Sequence, residues 1–275
     1  MRPLVLLTLM AGLGLSLADP APAHAHGAGQ TPPAPSAALP IKQGLAMELP
    51  SLNEDAALVA AIASTSRPEE DRARDGERHP LETLTFWGLQ PGLTVVEIEP
   101  GAKGWWRNIL EPYAAATGGT YVPVQRPLET MGVEAGQADL IVVARAFHNW
   151  SRNGRTEPYL AAFFTALKPG GVLAIEQHRS IEGLNVTDTA STGYVPESYV
   201  IHAAQAAGFE LDARSELNAN AKDDRDHAFG VWTLKPVRRS EANGRSLSAE
   251  ERSEYDAIGE SDRMTLRFRK PAAAQ

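Results

Sequence analysis

The sequence contains no cysteine. That absence excludes disulfides, a lipidated cysteine, thiolate ligands for zinc and a thiol nucleophile. Stability must therefore come from a full hydrophobic core, which 275 residues with 43% apolar side chains can supply. Basic charge is also in short supply: 26 Lys and Arg stand against 34 Asp and Glu, a formal net charge of -8. Nucleic acid is not an expected partner, because phosphate recognition needs a basic face. Close His-x-x-x-His spacing is absent, so a zinc site on one helix is not expected. No internal repeat is visible.

Long apolar runs are missing too. The longest, "PLVLLTLMAGLGLSLA", reaches about 15 residues, whereas a spanning helix takes about 20. Arg2 precedes it and "DPAPAHAHG" follows, giving the basic start, short apolar run and small-residue site of a secretory signal. Cleavage after Ala25 or after Ala18 fits, and a retained anchor is the alternative. The expected layout is a signal over 1–25, a disordered Pro/Ala-rich leader over 26–50 and a domain over 51–271. The location is then periplasmic or otherwise exported, with no stable membrane span after cleavage.

From residue 52 on, elements can be read from periodicity and punctuation. Leu52 to Ala63 and "RPEEDRARDGERHPLETLTFWG" read as helical, with Pro80 opening a helix and Gly88 ending it. Strands are expected at 93–98, at "TYVPVQ", from Ala138 in "ADLIVVARAF", at "VLAIEQH", at "ELDARSEL" and at "HAFGVWTLKP". Between them lie helices at 105–116, at "TEPYLAAFFTALKPGG" (stopped by Pro169) and at "ESYVIHAAQAAGF". Alternation of this kind predicts a doubly wound α/β sheet. Ser248 with Glu251 forms a capping-box pattern. "MTLRFRK" alternates apolar and charged residues like an edge strand with its charges outward.

In such sheets ligands lie beyond the carboxyl ends of the strands, where strand order reverses. Glu97 and Glu99, then His148, Asn149 and Trp150, then Glu176, His178 and Arg179 all fall at strand ends, so one shared crevice is expected. "EIEPGAKG" keeps Gly101 and Gly104 but carries Glu99 where a glycine usually stands; the turn reads either as a ligand cradle or as a plain β–α connection.

Five segments in this order, "RHPLETLTFWGLQPGLTVVEIEPGAKGWWRNILEPY", "DLIVVARAFHNW", "ALKPGGVLAIEQHRS", "AAGFEL" and "SDRMTLRFRKP", resemble the bacterial family of predicted, often exported, class I S-adenosylmethionine-dependent methyltransferases. The similarity spans roughly residues 68–271. It implies a seven-stranded Rossmann-like methyltransferase sheet with an antiparallel last strand, S-adenosyl-L-methionine as cofactor and a small-molecule methyl acceptor. By that resemblance Glu97, Glu99, Gly101 and Gly104 belong to the cofactor turn, and Arg78 and His79 to a preceding "RHP". His148 and Asn149 fall where acceptors approach and count as catalytic candidates, while His178 and Arg179 are a further candidate pair.

Members of that superfamily carry a ribose-binding acid after the second strand. Here Gln125 stands in that place, with Glu129 the nearby acid. Residues 126–138 alone separate Gln125 from Asp139, too few for a helix and a third strand, since each crossover takes at least about 10–12. A shortened second crossover is therefore expected.

His148 reads either as a proton acceptor or as a buried structural histidine. Two further readings follow from the same residues: a degenerate, non-catalytic domain that binds a small molecule or partner in the same crevice, and a metal site from His148 and His178 with His79 or His227. The latter is disfavoured, and no metal is assigned. Trp105 and Trp106 read as packing residues, and "KDDRDH" (222–227) as a solvated loop.

Overall fold

The structure is a computed structural model that describes residues 55–272. The signal and leader readings over 1–50, and the first residues of the helix expected from Leu52, lie outside the described residues. Within them, no helix is long and apolar enough to cross a membrane.

The N-terminal part is a run of short helices: α1 (Ala56–Ala63), α2 (Glu69–Arg72), α3 (Asp75–Arg78) and α4 (Pro80–Phe86). Asp55 caps α1 by accepting from the N–H groups of Ala57 and Leu58. The helical reading of 67–88 resolves into three pieces, the expected new helix at Pro80 among them. The last break has a clear cause. His79 sits in the left-handed region (φ 44), ending α3, and Pro80 takes the first position of α4, where its missing N–H costs nothing.

β1 (Thr94–Ile98) leads through the glycine turn into α5 (Arg107–Thr117), then β2 (Thr120–Val124), β3 (Ala138–Ala144), α6 (Phe147–Ser151) and α7 (Thr156–Ala166). β4 (Leu167–His178), α8 (Val186–Ser191), α9 (Glu197–Ala206) and β5 (Glu210–Ser215) follow. The remainder is β6 (Ala228–Val231), the hairpin β7 (Glu241–Ala242) with β8 (Arg245–Ser246), α10 (Ala249–Ile258) and β9 (Arg263–Arg269). α7 ends at Ala166 rather than at Pro169; Leu167 is already extended and pairs with Ala138.

The main sheet runs β2-β1-β3-β4-β9-β5. β1–β4 are parallel, while β9 is antiparallel to both β4 and β5. This is the doubly wound α/β, methyltransferase-type order expected, with six strands instead of seven. The missing strand is the one the short second crossover could not hold: residues 125–137 form only turns, which leaves β2 at the edge. Pro123 is exposed there, a position where its missing donor is harmless.

Strand alternation builds two cores. Val96, Ile98, Ile141, Val143, Leu173 and Ile175 pack with α6, α7 and α9 through Phe147, Trp150, Leu160, Phe163, Val200 and Ala204. Val95, Leu140, Val142 and Ala174 face α1, α4 and α5 through Leu58, Leu84, Trp87, Ile109, Leu110 and Tyr113. Trp105 and Trp106 are buried in this second core, as expected of packing residues.

Two strand readings need correction. β9 is central, not an edge. Met264, Leu266 and Phe268 enter the first core, while Arg263 and Arg267 are buried on the other face. Arg267 donates to Asp212 (2.7 Å) and to the Phe86 carbonyl (2.6 Å). Alternating charge looks the same in sequence whether it meets water or buried acceptors. "HAFGVWTLKP" contributes only β6, outside the main sheet, and then turns across the rim of the site. The "KDDRDH" loop is not solvated throughout: Asp223 is buried and accepts from Tyr194 Oη (3.0 Å), the Asp262 N–H (2.8 Å) and His227 Nε2 (2.8 Å).

Candidate functional site

Strand order reverses at β1: the chain goes to one side for β2 and to the other for β3 and β4. A cavity of about 360 Å³ opens beyond the carboxyl ends of these strands, within the size range of small-molecule sites. Its floor is the turn from Pro100 to Gly104. His148 and His178 come from the elements after β3 and at the end of β4. Arg74 and Arg78 come from the N-terminal helices, and Trp232 and Lys235, from the segment after β6, complete the lining. Gly101 adopts φ +70, and a Cβ there would meet nothing within 4 Å. A ligand can approach this backbone closely.

The two imidazoles are neighbours, with ring centroids 6.1 Å apart, and Trp232 stands edge-on to His148 at 5.9 Å. Burial pulls His148 down to about 4 and His178 well below its ordinary value, so both are uncharged at neutral pH. Gln177 Nε2 donates to Gly193 O (2.8 Å) and approaches His148 Nδ1 (3.4 Å). That places the His148 proton on Nε2. His178 Nδ1 meets Ser261 Oγ at 2.6 Å.

The other expected residues divide. Arg78, Gly101, Gly104, His148 and His178 line the one cavity. Glu97 does not join them. It points to the α1/α5 side and accepts from Tyr121 Oη at 2.7 Å, where burial pushes its carboxyl up to about 7. Glu99 has φ 49, and its carboxylate accepts from Asn149 Nδ2 at 3.0 Å; burial raises it above the usual carboxylate range. Gln125 is exposed and lies outside the cavity. His79 faces a separate small cleft, its Nδ1 3.2 Å from Asn218 Oδ1. Arg179 is held by Asp262 (2.9 Å), Glu216 (2.6 Å) and Glu197 (3.1 Å), an arrangement that ties loops together.

The three-histidine metal reading is not realised, because His79 and His227 are committed to Asn218 and Asp223. Among the described residues, the group close enough to share an ion is Asp223, Asp224 and His227.

Sequence reasoning missed Arg145, Trp232, Lys235 and Glu260. Arg145 was signalled, in retrospect, by a cation placed directly at the end of an apolar strand. Its backbone is left-handed (φ 57), with its N–H held by the Glu176 carbonyl at 2.7 Å, the kind of local strain that gathers at functional sites. Glu260 is the common acceptor of three guanidinium groups, Arg74 (2.8 Å), Arg78 (2.9 Å) and Arg263 (2.8 Å).

S-adenosylmethionine can be tested against these residues. The open glycine turn suits the carboxylate of its methionine part. Its ribose hydroxyls find no acid at the end of β2, where Gln125 is exposed, and Glu99 after β1 is bound to Asn149. The residues present thus fit the amino-acid end of the cofactor and lack the ribose clamp.

No family model and no curated protein matches the sequence. Similar solved structures include the [4+2]-cyclase SpnF, at 14% identity and TM-score 0.47, over 74% of this chain and 81% of that one. A SAM-dependent methyltransferase from Aquifex aeolicus is 18% identical, with TM-score 0.41, over 54% and 89%. Geranyl diphosphate C-methyltransferase from Streptomyces coelicolor A3(2), in complex with S-adenosyl-L-homocysteine, is 13% identical with TM-score 0.42, over 77% and 87%. At these levels of likeness they assign no chemistry to this chain.

Proposed function

We propose that the chain is an S-adenosylmethionine-dependent methyltransferase acting on a small molecule at the rim cavity over β1, β3 and β4. The observation that carries this reading is the cavity's position: it lies at the switch point, floored by the glycine turn and walled by two uncharged imidazoles. When bound, the cofactor supplies an electrophilic methyl group. The chain's own contribution is placement and exclusion of water. Gly101 lets a ligand lie against the backbone, Trp232 covers it, and His148 hydrogen-bonds the acceptor's hydroxyl or amine. We take the signal-like N-terminus to direct export.

Calorimetric titration with S-adenosylmethionine and S-adenosylhomocysteine tests the reading, which expects saturable heat. No heat at millimolar concentration would reject it. One pair of observations favours a second reading, a non-catalytic binding protein of the same fold: the Glu99–Asn149 bond at the first turn position and the exposed Gln125. In that case a small molecule binds the cavity and no cofactor does.

A further inference from the structure

The cavity carries more positive charge than its own acids can balance. Three guanidinium groups converge on the single carboxylate of Glu260. Asp71, the other acid in the wall, accepts from Asn108 Nδ2 at 3.0 Å. Arg145, Lys103 and Lys235 also line the cavity, and none of the three makes an ion pair among the described residues. Arg78 is 1% exposed, yet its Nη1 has no hydrogen-bond partner. A buried charged donor without an acceptor is costly, and here it belongs to a wall residue of an open cavity. Arg78 is itself held in place: its Nε donates to both oxygens of Glu260 (2.9 and 3.0 Å), and its guanidinium lies 4.7 Å from the centre of the Trp105 ring.

The two histidines add no charge to this wall, and the His148 tautomer set by Gln177 leaves an N–H to donate. The charged side chains of this part of the cavity are thus cations, apart from the two acids already engaged. Guanidinium groups with free N–H donors match carboxylate and phosphate oxygens.

We infer that the cavity takes a small organic anion, a carboxylate or phosphate bound between Arg78 and Arg145, and that this anionic group belongs to the methyl acceptor. The acceptor assignment rests on the proposed function; the anion site itself does not. Lys235, on the segment after β6, adds a further cation to the same wall.

Titration of inorganic phosphate and of succinate into the cofactor-free full chain, monitored by calorimetry and by thermal melting at matched ionic strength, tests the inference. Saturable binding of either probe is expected. Arg145→Asn, which keeps a residue tolerant of the left-handed backbone, should weaken that binding at least about tenfold. Lys235→Gln, an exposed change that leaves the core untouched, should weaken it about threefold. Arg245→Gln, which removes a cation from the β7–β8 hairpin, should leave it unchanged. Melting shifts no larger than those in sodium chloride, or equal binding by all three variants, would overturn the site. Competitive displacement of phosphate by S-adenosylhomocysteine would move the anion from the acceptor to the cofactor and overturn that assignment. Because phosphate is titrated without cofactor, its failure to bind is separate from a failure to bind S-adenosylmethionine.

Discussion

The side-chain amide of Asn149 donates to the carboxylate of Glu99 at 3.0 Å, tying α6 to the turn after β1 where a cofactor-binding turn would carry its first glycine. The pair holds a non-glycine residue in left-handed backbone and occupies ground beside the glycine turn.

Replacing Glu99 with glycine removes both the carboxylate and the backbone strain. We expect Glu99→Gly to bind S-adenosylmethionine about tenfold more tightly, a gain of about 1.4 kcal/mol. Calorimetry on the two proteins decides it; equal affinities would show that the bond to Asn149 does not obstruct the cofactor.

Glu97 and His148 pull stability in opposite directions with pH. Burial raises Glu97 from 4.5 to about 7, so across that window the folded chain keeps a proton that the unfolded chain releases, and stability falls as pH rises. Burial lowers His148 from 6.5 to about 4. There the unfolded chain holds the extra proton, and stability falls as pH drops. Glu97→Gln removes the first effect alone. Relative to the natural chain, it should gain about 1.4 kcal/mol for each pH unit climbed between 4.5 and 7. Urea unfolding across that range measures the difference, and parallel curves would contradict the assignment.

Arg263 bridges two buried acids, Glu176 at 2.5 Å and Glu260 at 2.8 Å, and is itself 1% exposed. Arg263→Leu strands the Glu176 carboxylate, while Glu260 keeps Arg74 and Arg78, and should cost about 3–5 kcal/mol. Adding Glu176→Gln should recover part of the loss, since one buried charge is then gone. A single variant as stable as the natural chain in chemical denaturation would refute this account.

The segment that carries Trp232 and Lys235 follows a crowded glycine of β6. Gly230 has φ +60, and a Cβ there would lie 2.4 Å from the Thr192 carbonyl oxygen. Gly230→Ala should destabilise the protein by more than about 1 kcal/mol and loosen Trp232 over the cavity. Differential scanning calorimetry, paired with tryptophan fluorescence quenching by acrylamide, reads both effects.

Much of the fold was legible because its strands are locally self-declaring. "LIVVA" is apolar on both faces, as is typical of a covered parallel strand, and the short stretch between Gln125 and Asp139 leaves no room for one strand. The site was legible where backbone position decides it: His148, His178, Gly101 and Arg78 meet because strand ends and the preceding helices converge. Glu97 failed because it lies within β1, where its side chain is buried and held by Tyr121, and Glu99 failed because Asn149 claims its carboxylate; a place at a strand end does not by itself bring a side chain into the crevice. β9 failed for a different reason. Apart from nearby Glu260, its arginines find their acceptors in Asp212, Glu176 and the end of α4, all remote in sequence, and no local pattern distinguishes such partners from water. Trp232 and Lys235 lie on an irregular segment whose path depends on buried Asp223, again a long-range matter.

The insertion of β9 between β4 and β5 sets a condition on how the sheet assembles. β5 is synthesised well before the strand that joins it to the rest, so the emerging polypeptide carries two bare strand borders that only residues 263–269 can fill. Shortening the chain upstream of Arg263 would not yield a smaller working unit. It would yield a split sheet with sticky rims, prone to pair with copies of itself.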